Sequence, residues 1–132
     1  MYFYQAYAHY PWKLLLKSGT EGVAISNYGR NLMKEMMLVY DGNQHRYAQI
    51  AGHGFRILAE AMEKDLSYVI RCPSMLICGT KDHAGSCIRY NREWHRKMEI
   101  PLKWIEGAGH NSNADKLEMI NSLLEEFFSN IL

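Results

Sequence analysis

The sequence predicts an α/β protein in which a helical segment over residues 1–70 precedes a βαβ unit and a closing helix over residues 71–132. Three observations carry that prediction. The run Leu76-Ile77-Cys78 is apolar, stops at Gly79 and delivers a carboxylate at Asp82, the pattern of a strand buried on both faces of a parallel sheet. A second strand-like run, Leu102-Lys103-Trp104-Ile105, leads into Gly107-Ala108-Gly109-His110 and delivers a histidine 28 residues after Asp82. Ahead of both, residues 1–70 show helical spacing and turns without a convincing strand.

The chain of 132 residues suits one small domain with a real core. Its 48% hydrophobic and 22% charged residues are those of a folded globular protein. Fifteen basic side chains against fourteen acidic ones leave a net charge of +1, so no electrostatic footprint for nucleic acid or anionic lipid is present. A neutral or apolar small molecule is the expected partner class, with no nucleic-acid or membrane partner. Cys72, Cys78 and Cys87 are odd in number and lack Cys-x-x-Cys spacing, which fits a reducing, cytoplasmic setting. The aromatic start, Met1 to Tyr10, lacks the basic residues and aliphatic core of a signal peptide, and no apolar stretch approaches the ~20 residues of a membrane span.

Taken in order, Tyr4 to Lys17 reads as one helix broken near Pro11 and closed by Ser18-Gly19. A second starts at Ser26 or Asn27, whose side chains can cap free amides, and carries Leu32, Met33, Met36 and Val39 at helical spacing. Asp41-Gly42-Asn43 is a turn. A short helix from Tyr47 ends at Gly52, and another presents Phe55, Leu58 and Met62 before Leu66. Five of the eight methionines fall at or before Met62. Together with the tyrosines they either pack these helices or line an apolar pocket, and the two roles are compatible.

Cys72-Pro73 stops the helical region, and Ser74 to Cys78 forms the first strand. Gly79 to Gly85 is a loop, and Ser86 to Met98, with Cys87, Asn91, Trp94 and Met98 on one side, is an amphipathic crossover helix. Ile100-Pro101 then leads into the second strand, closing a right-handed βαβ unit of about 33 residues. A last helix is expected to be capped by Asp115 with Glu118 in a capping box, its inward stripe being Leu117, Ile120, Leu124, Phe127 and Ile131.

Side chains at the carboxyl ends of parallel strands converge on one rim, so Asp82 and His110 should meet there. In such a pair the carboxylate fixes the imidazole tautomer, and the imidazole acts as general base and then acid. The plainer reading makes each a polar loop residue. Glycines flanking Ala108, followed by Asn111-Ser112-Asn113, mark a backbone needing unusual freedom and favour the functional reading. His83, Cys87 and His95 lack the spacing of a metal site, and no metal or other cofactor is expected. Gly52-His53-Gly54 lacks the lysine and preceding strand of a phosphate loop, which leaves His53 as a turn residue or cap.

Cys72-Pro73-Ser74-Met75-Leu76-Ile77-Cys78-Gly79-Thr80-Lys81-Asp82, together with Ile105-Glu106-Gly107-Ala108-Gly109-His110 and the closing helix, resembles the C-terminal part of an α/β-hydrolase. The resemblance covers residues 71–132. Residues 1–70 resemble that family's helical lid and the core helix before the acid strand. It implies that Asp82 is the triad acid and His110 the triad base of an enzyme cleaving an ester, amide or related acyl bond in a small acyl substrate. The family's nucleophile elbow, Gly-x-Ser-x-Gly, has no counterpart: Cys87 has Gly85 two residues before it but Arg89 two after, and no strand leads in. The serine is therefore expected from a missing N-terminal half. Two strands do not make a stable sheet, so the chain is expected to associate with that half or with itself. The alternative is a non-catalytic truncated module acting in assembly or apolar ligand binding.

Overall fold

The structure is a computed structural model and describes residues 2–64 and 70–131. Its centre is a two-stranded parallel sheet, β1 (Leu76–Gly79) and β2 (Leu102–Ile105), paired Leu76 to Leu102 through Gly79 to Ile105. Four-residue strands whose side chains alternate between faces give each face two positions per strand. Ile77 and Ile105 point to the face covered by the last helix, α7 (Leu117–Ser129), where Ile105, Ala108 and Ile120 form a buried cluster joined by Leu123 and Leu124. Cys78 and Trp104 point to the opposite face, under the crossover helix α5 (Cys87–Met98), whose Arg92 guanidinium stacks over the Trp104 ring. The expected order of strand, helix and strand is present, with a helix on each face of a parallel pair. The first strand begins later than expected, at Leu76.

The connections follow from local chemistry. α5 ends at Glu99, which takes a left-handed φ of 55°, while His95 Nδ1 donates to the Ile100 carbonyl at 2.7 Å. That turns the chain into β2 within two residues. After β2, Gly107 adopts φ 72°, a conformation open to glycine at little cost. A one-turn helix, α6 (Ser112–Asp115), precedes α7.

The N-terminal region comprises α1 (Tyr2–His9), α2 (Trp12–Glu21), α3 (Asn27–Leu38) and α4 (Gln44–Glu63). The break at Pro11 occurs as expected, and Ser26 caps α3 by accepting the Gly29 N–H at 2.9 Å. Three expectations are corrected. Gly19 does not close α2; the helix runs on to Glu21, because Gly19 is where the Met37 thioether of α3 packs and a Cβ would collide with it. The inward stripe of α3 is Gly29, Met33 and Met37, while Leu32, Met36 and Val39 are exposed. Gly52 does not end a helix: α4 continues through Gly52-His53-Gly54, capped at Asn43, because an isolated glycine costs a helix only about 1 kcal/mol. His53 is therefore mid-helix, with Nδ1 3.0 Å from Arg56. Leu66 lies outside the described residues.

α1 lies along α4, fastened by Gln44 Nε2 donating to the Tyr7 and Tyr10 carbonyls and by Tyr7 against Tyr47 and Phe55. Trp12 and Tyr40 also meet Tyr47 edge-on, and burial, then Tyr7 and Tyr40, pushes the Tyr47 hydroxyl pKa up. α2 packs on α3, and α3 touches α6, which joins the helical region to the loop carrying His110.

Much apolar surface remains uncovered. The chain exposes 9712 Å², against roughly 7,200 Å² expected of a compact monomer of this mass. Phe55, Ile57, Leu58 and Met62 on α4, and Leu117, Met119 and Phe128 on α7, are all exposed. In the parallel ladder the Ile77 backbone groups point away from β2, and among the described residues no strand pairs with that edge. No helix of the described residues is long and apolar enough to cross a membrane.

Candidate active site

The loops after β1 and β2 are laced together by backbone hydrogen bonds. Thr80 N–H donates to the Ile105 carbonyl at 3.0 Å and Lys81 N–H to the Ala108 carbonyl at 2.9 Å, while Thr80 Oγ1 accepts the Gly107 N–H at 2.9 Å. Gly79 makes this crossing possible. A Cβ there would run into the Ala108 and Gly109 carbonyl oxygens, so only glycine lets the second loop pass over the end of the first strand.

Asp82 and His110 meet where sequence spacing placed them. Asp82 Oδ2 lies 3.0 Å from His110 Nδ1, and Asp82 Oδ1 accepts the Ala84 N–H at 2.9 Å, which anchors the carboxylate. The Asp82 side chain is 6% exposed and that of His110 44%, so the acid is held inside the fold while the imidazole faces outward. With its Nδ1–H given to Asp82, the neutral ring presents a lone pair at Nε2, the arrangement of a general base oriented by a carboxylate.

Cys87, the first residue of α5, stands beside this pair: its Sγ, an Asp82 carboxylate oxygen and a His110 ring nitrogen all lie within 4.8 Å of one another. Burial and then the Asp82 charge push the Cys87 thiol pKa up, which keeps it protonated. An in-line relay puts the nucleophile beyond Nε2, a full imidazole away from the carboxylate, whereas Cys87 sits alongside both groups. His83 and His95 are not part of the cluster; His95 is engaged with Ile100. Cys78 is buried in β1, and its thiol is likewise pushed up by burial, then by Asp82 and Cys87.

Asp115 departs from expectation. It does not cap α7, whose N-cap residue, Lys116, makes no side-chain cap bond; it lies at the end of α6 with its carboxylate turned inward. Its oxygens accept from the N–H groups of Ile25 at 2.9 and 3.0 Å, Ser26 at 2.7 Å and Gly109 at 2.8 Å. Asn111 N–H adds a bond to the Val23 carbonyl at 2.8 Å. This clasp ties both sides of His110 to the α2–α3 loop. Burial pushes the Asp115 carboxyl pKa up, but the backbone donors of Ser26, Gly109 and Ile25 together pull it below its ordinary value. No spacing rule could reveal the clasp, because two of its partners lie 89 and 90 residues away.

Two depressions lie elsewhere. One of about 530 Å³ is lined by Ser26, Tyr28, Asp115 and Lys116, and one of about 190 Å³ by Met75, Pro101, Leu123 and Phe127; neither includes Asp82 or His110. No protein-family model matches the chain, and neither a curated protein nor a solved structure matches it significantly.

Proposed function

We propose that this chain supplies the acid and base of an α/β-hydrolase-type site, and that the complete site cleaves an ester, amide or related acyl bond without a cofactor. The observation that carries the reading is the 3.0 Å contact between the buried, amide-anchored Asp82 carboxylate and His110 Nδ1, on loops from adjacent parallel strands. In the proposed reaction Asp82 holds the Nε2 lone pair of His110 toward a serine hydroxyl. His110 takes the hydroxyl proton as the oxygen attacks the acyl carbon, then returns it to the leaving group; water repeats the cycle to release the acid. The carboxylate remains ionised and stabilises the imidazolium.

The serine belongs to a complementary segment bearing a Gly-x-Ser-x-Gly elbow. The edge of β1, unpaired among the described residues, and the exposed apolar side chains support association with such a segment or with a second copy. The test is to combine the chain with an N-terminal α/β-hydrolase segment carrying that elbow and assay a chromogenic short-chain ester. Turnover is expected in the mixture, falling by on the order of 10⁴-fold with Asp82→Asn or His110→Ala, as loss of triad function does in serine proteases. Turnover indifferent to His110→Ala sinks the assignment; a complex that assembles but never turns over indicates an assembly module instead.

A further inference from the structure

We propose that Asp82, Cys87 and His110 form a binding site for a borderline divalent cation, with Zn²⁺ the best match, and that the ion occupies the dyad's own atoms. One carboxylate oxygen, one thiol sulfur and one imidazole nitrogen lie within 4.8 Å of one another. They come from three places: the loop after β1, the first turn of α5 and the loop after β2. Oxygen, sulfur and nitrogen donors are the mixed set that Zn²⁺ accepts, whereas Mg²⁺ and Ca²⁺ need oxygen throughout.

The three donors are close enough for one ion to gather them. Two oxygen or nitrogen ligands at about 2.0–2.1 Å from tetrahedral zinc stand about 3.3 Å apart. An ion that replaces the proton shared by Asp82 Oδ2 and His110 Nδ1 at 3.0 Å therefore needs little separation of the two atoms and a turn of the imidazole that brings its lone pair off the line between them. Cys87 Sγ, within 4.8 Å of both, has to come to about 2.3 Å from the ion to complete three protein ligands. Ala84 N–H holds Asp82 Oδ1, so Oδ2 is already aimed, an outer support of the kind that orients metal ligands. On binding, the Cys87 S–H bond breaks, its proton passes to solvent, and the thiolate pair forms the bond to the ion, while His110 gives up the Nδ1 proton it shares with Asp82 and takes one from solvent at Nε2, which frees the Nδ1 lone pair to ligate. Carboxylate, thiolate and neutral imidazole then leave the dication charge-balanced. His110 faces outward, which leaves the fourth position for water, as in a three-ligand zinc site.

The ion uses the Asp82 oxygen and the imidazole that the proton relay needs, so the two states exclude each other and zinc silences the dyad. That consequence rests on the hydrolase reading; the site itself does not. The test therefore reads binding alone, on the purified chain under a non-thiol reductant. Co²⁺ titration is expected to give one ion per chain with a thiolate-to-metal charge-transfer band, displaced by Zn²⁺. Cys87→Ser abolishes the band, Asp82→Asn and His110→Ala weaken binding roughly tenfold or more, and Cys72→Ser and His83→Ala leave it unchanged. In the native chain, stoichiometric Zn²⁺ protects Cys87, but not Cys72, from alkylation. A band that survives Cys87→Ser, binding indifferent to Asp82→Asn and His110→Ala, or equal labelling of Cys87 with and without zinc overturns the proposal.

Discussion

At neutral pH one carboxylate, Asp115, accepts the backbone N–H groups of Ile25, Ser26 and Gly109, and so sets where the residue before His110 sits. Asparagine at this position keeps one acceptor oxygen and turns its NH₂ toward amides that need acceptors. Asp115→Asn is expected to cost about 1–3 kcal/mol, read from urea unfolding. The pH dependence has a definite sign. Since the folded carboxyl titrates below its ordinary value, its stabilisation is complete above the unfolded pKa of about 3.9 and is lost as pH falls through the lower folded value. The Asn variant should therefore lose less stability than the native chain on acidification across that window, and an unchanged acid limb refutes this. Gly79→Ala forces a Cβ against the Ala108 and Gly109 carbonyls, so about 1–3 kcal/mol of destabilisation is expected. Perturbed amide shifts at Thr80, Lys81, Ala108 and Gly109 in the NMR spectrum would accompany it.

Among the elements, α4 differs most from the sequence expectation. Two glycines two residues apart read as a helix stop, yet the helix passes through both, and a Cβ at Gly54 would meet nothing within 4 Å. Gly54→Ala removes backbone freedom from the unfolded chain and touches no neighbour. It should raise stability by about 0.5–1 kcal/mol, seen as a higher thermal midpoint; a loss would mean that α4 is interrupted there. On α7 Ile120 is buried and Leu123, Leu124 and Phe127 are half-buried, while Leu117 and, beyond the helix, Ile131 face outward. The helix was expected to begin from an Asp115 cap, which the clasp takes instead, yet Ile120, Leu124 and Phe127 of the expected stripe do face inward.

For the whole molecule, the total accessible surface is large, and exposed apolar side chains on α4 and α7 contribute to it. An excess on the order of 2,500 Å² over a compact monomer exceeds a standard protein–protein interface of about 1,600 Å². With no strand among the described residues on the outer edge of β1, the chain should associate. Sedimentation velocity across a hundredfold concentration range is expected to show a concentration-dependent shift to larger species, or a stable complex once a complementary segment is added. A monodisperse monomer that melts cooperatively would contradict this.

The sequence by itself determined the local signals. Pro11 broke the first helix, one of the two caps offered at Ser26 and Asn27 started α3, and strands formed within two residues of Ser74 to Cys78 and at Leu102 to Ile105, because each rests on residues within a few positions. It also determined the meeting of Asp82 and His110, since consecutive parallel strands end on one rim. Tertiary structure alone decided what depends on distant partners. Gly19 packs instead of stopping a helix because Met37 arrives against it, Asp115 clasps instead of capping because free amides at Ile25 and Ser26 lie within reach, and Cys87 joins the dyad because α5 starts beside it. For Gly19 and Asp115 a local preference worth about 1 kcal/mol yields to packing or hydrogen bonding made across the fold.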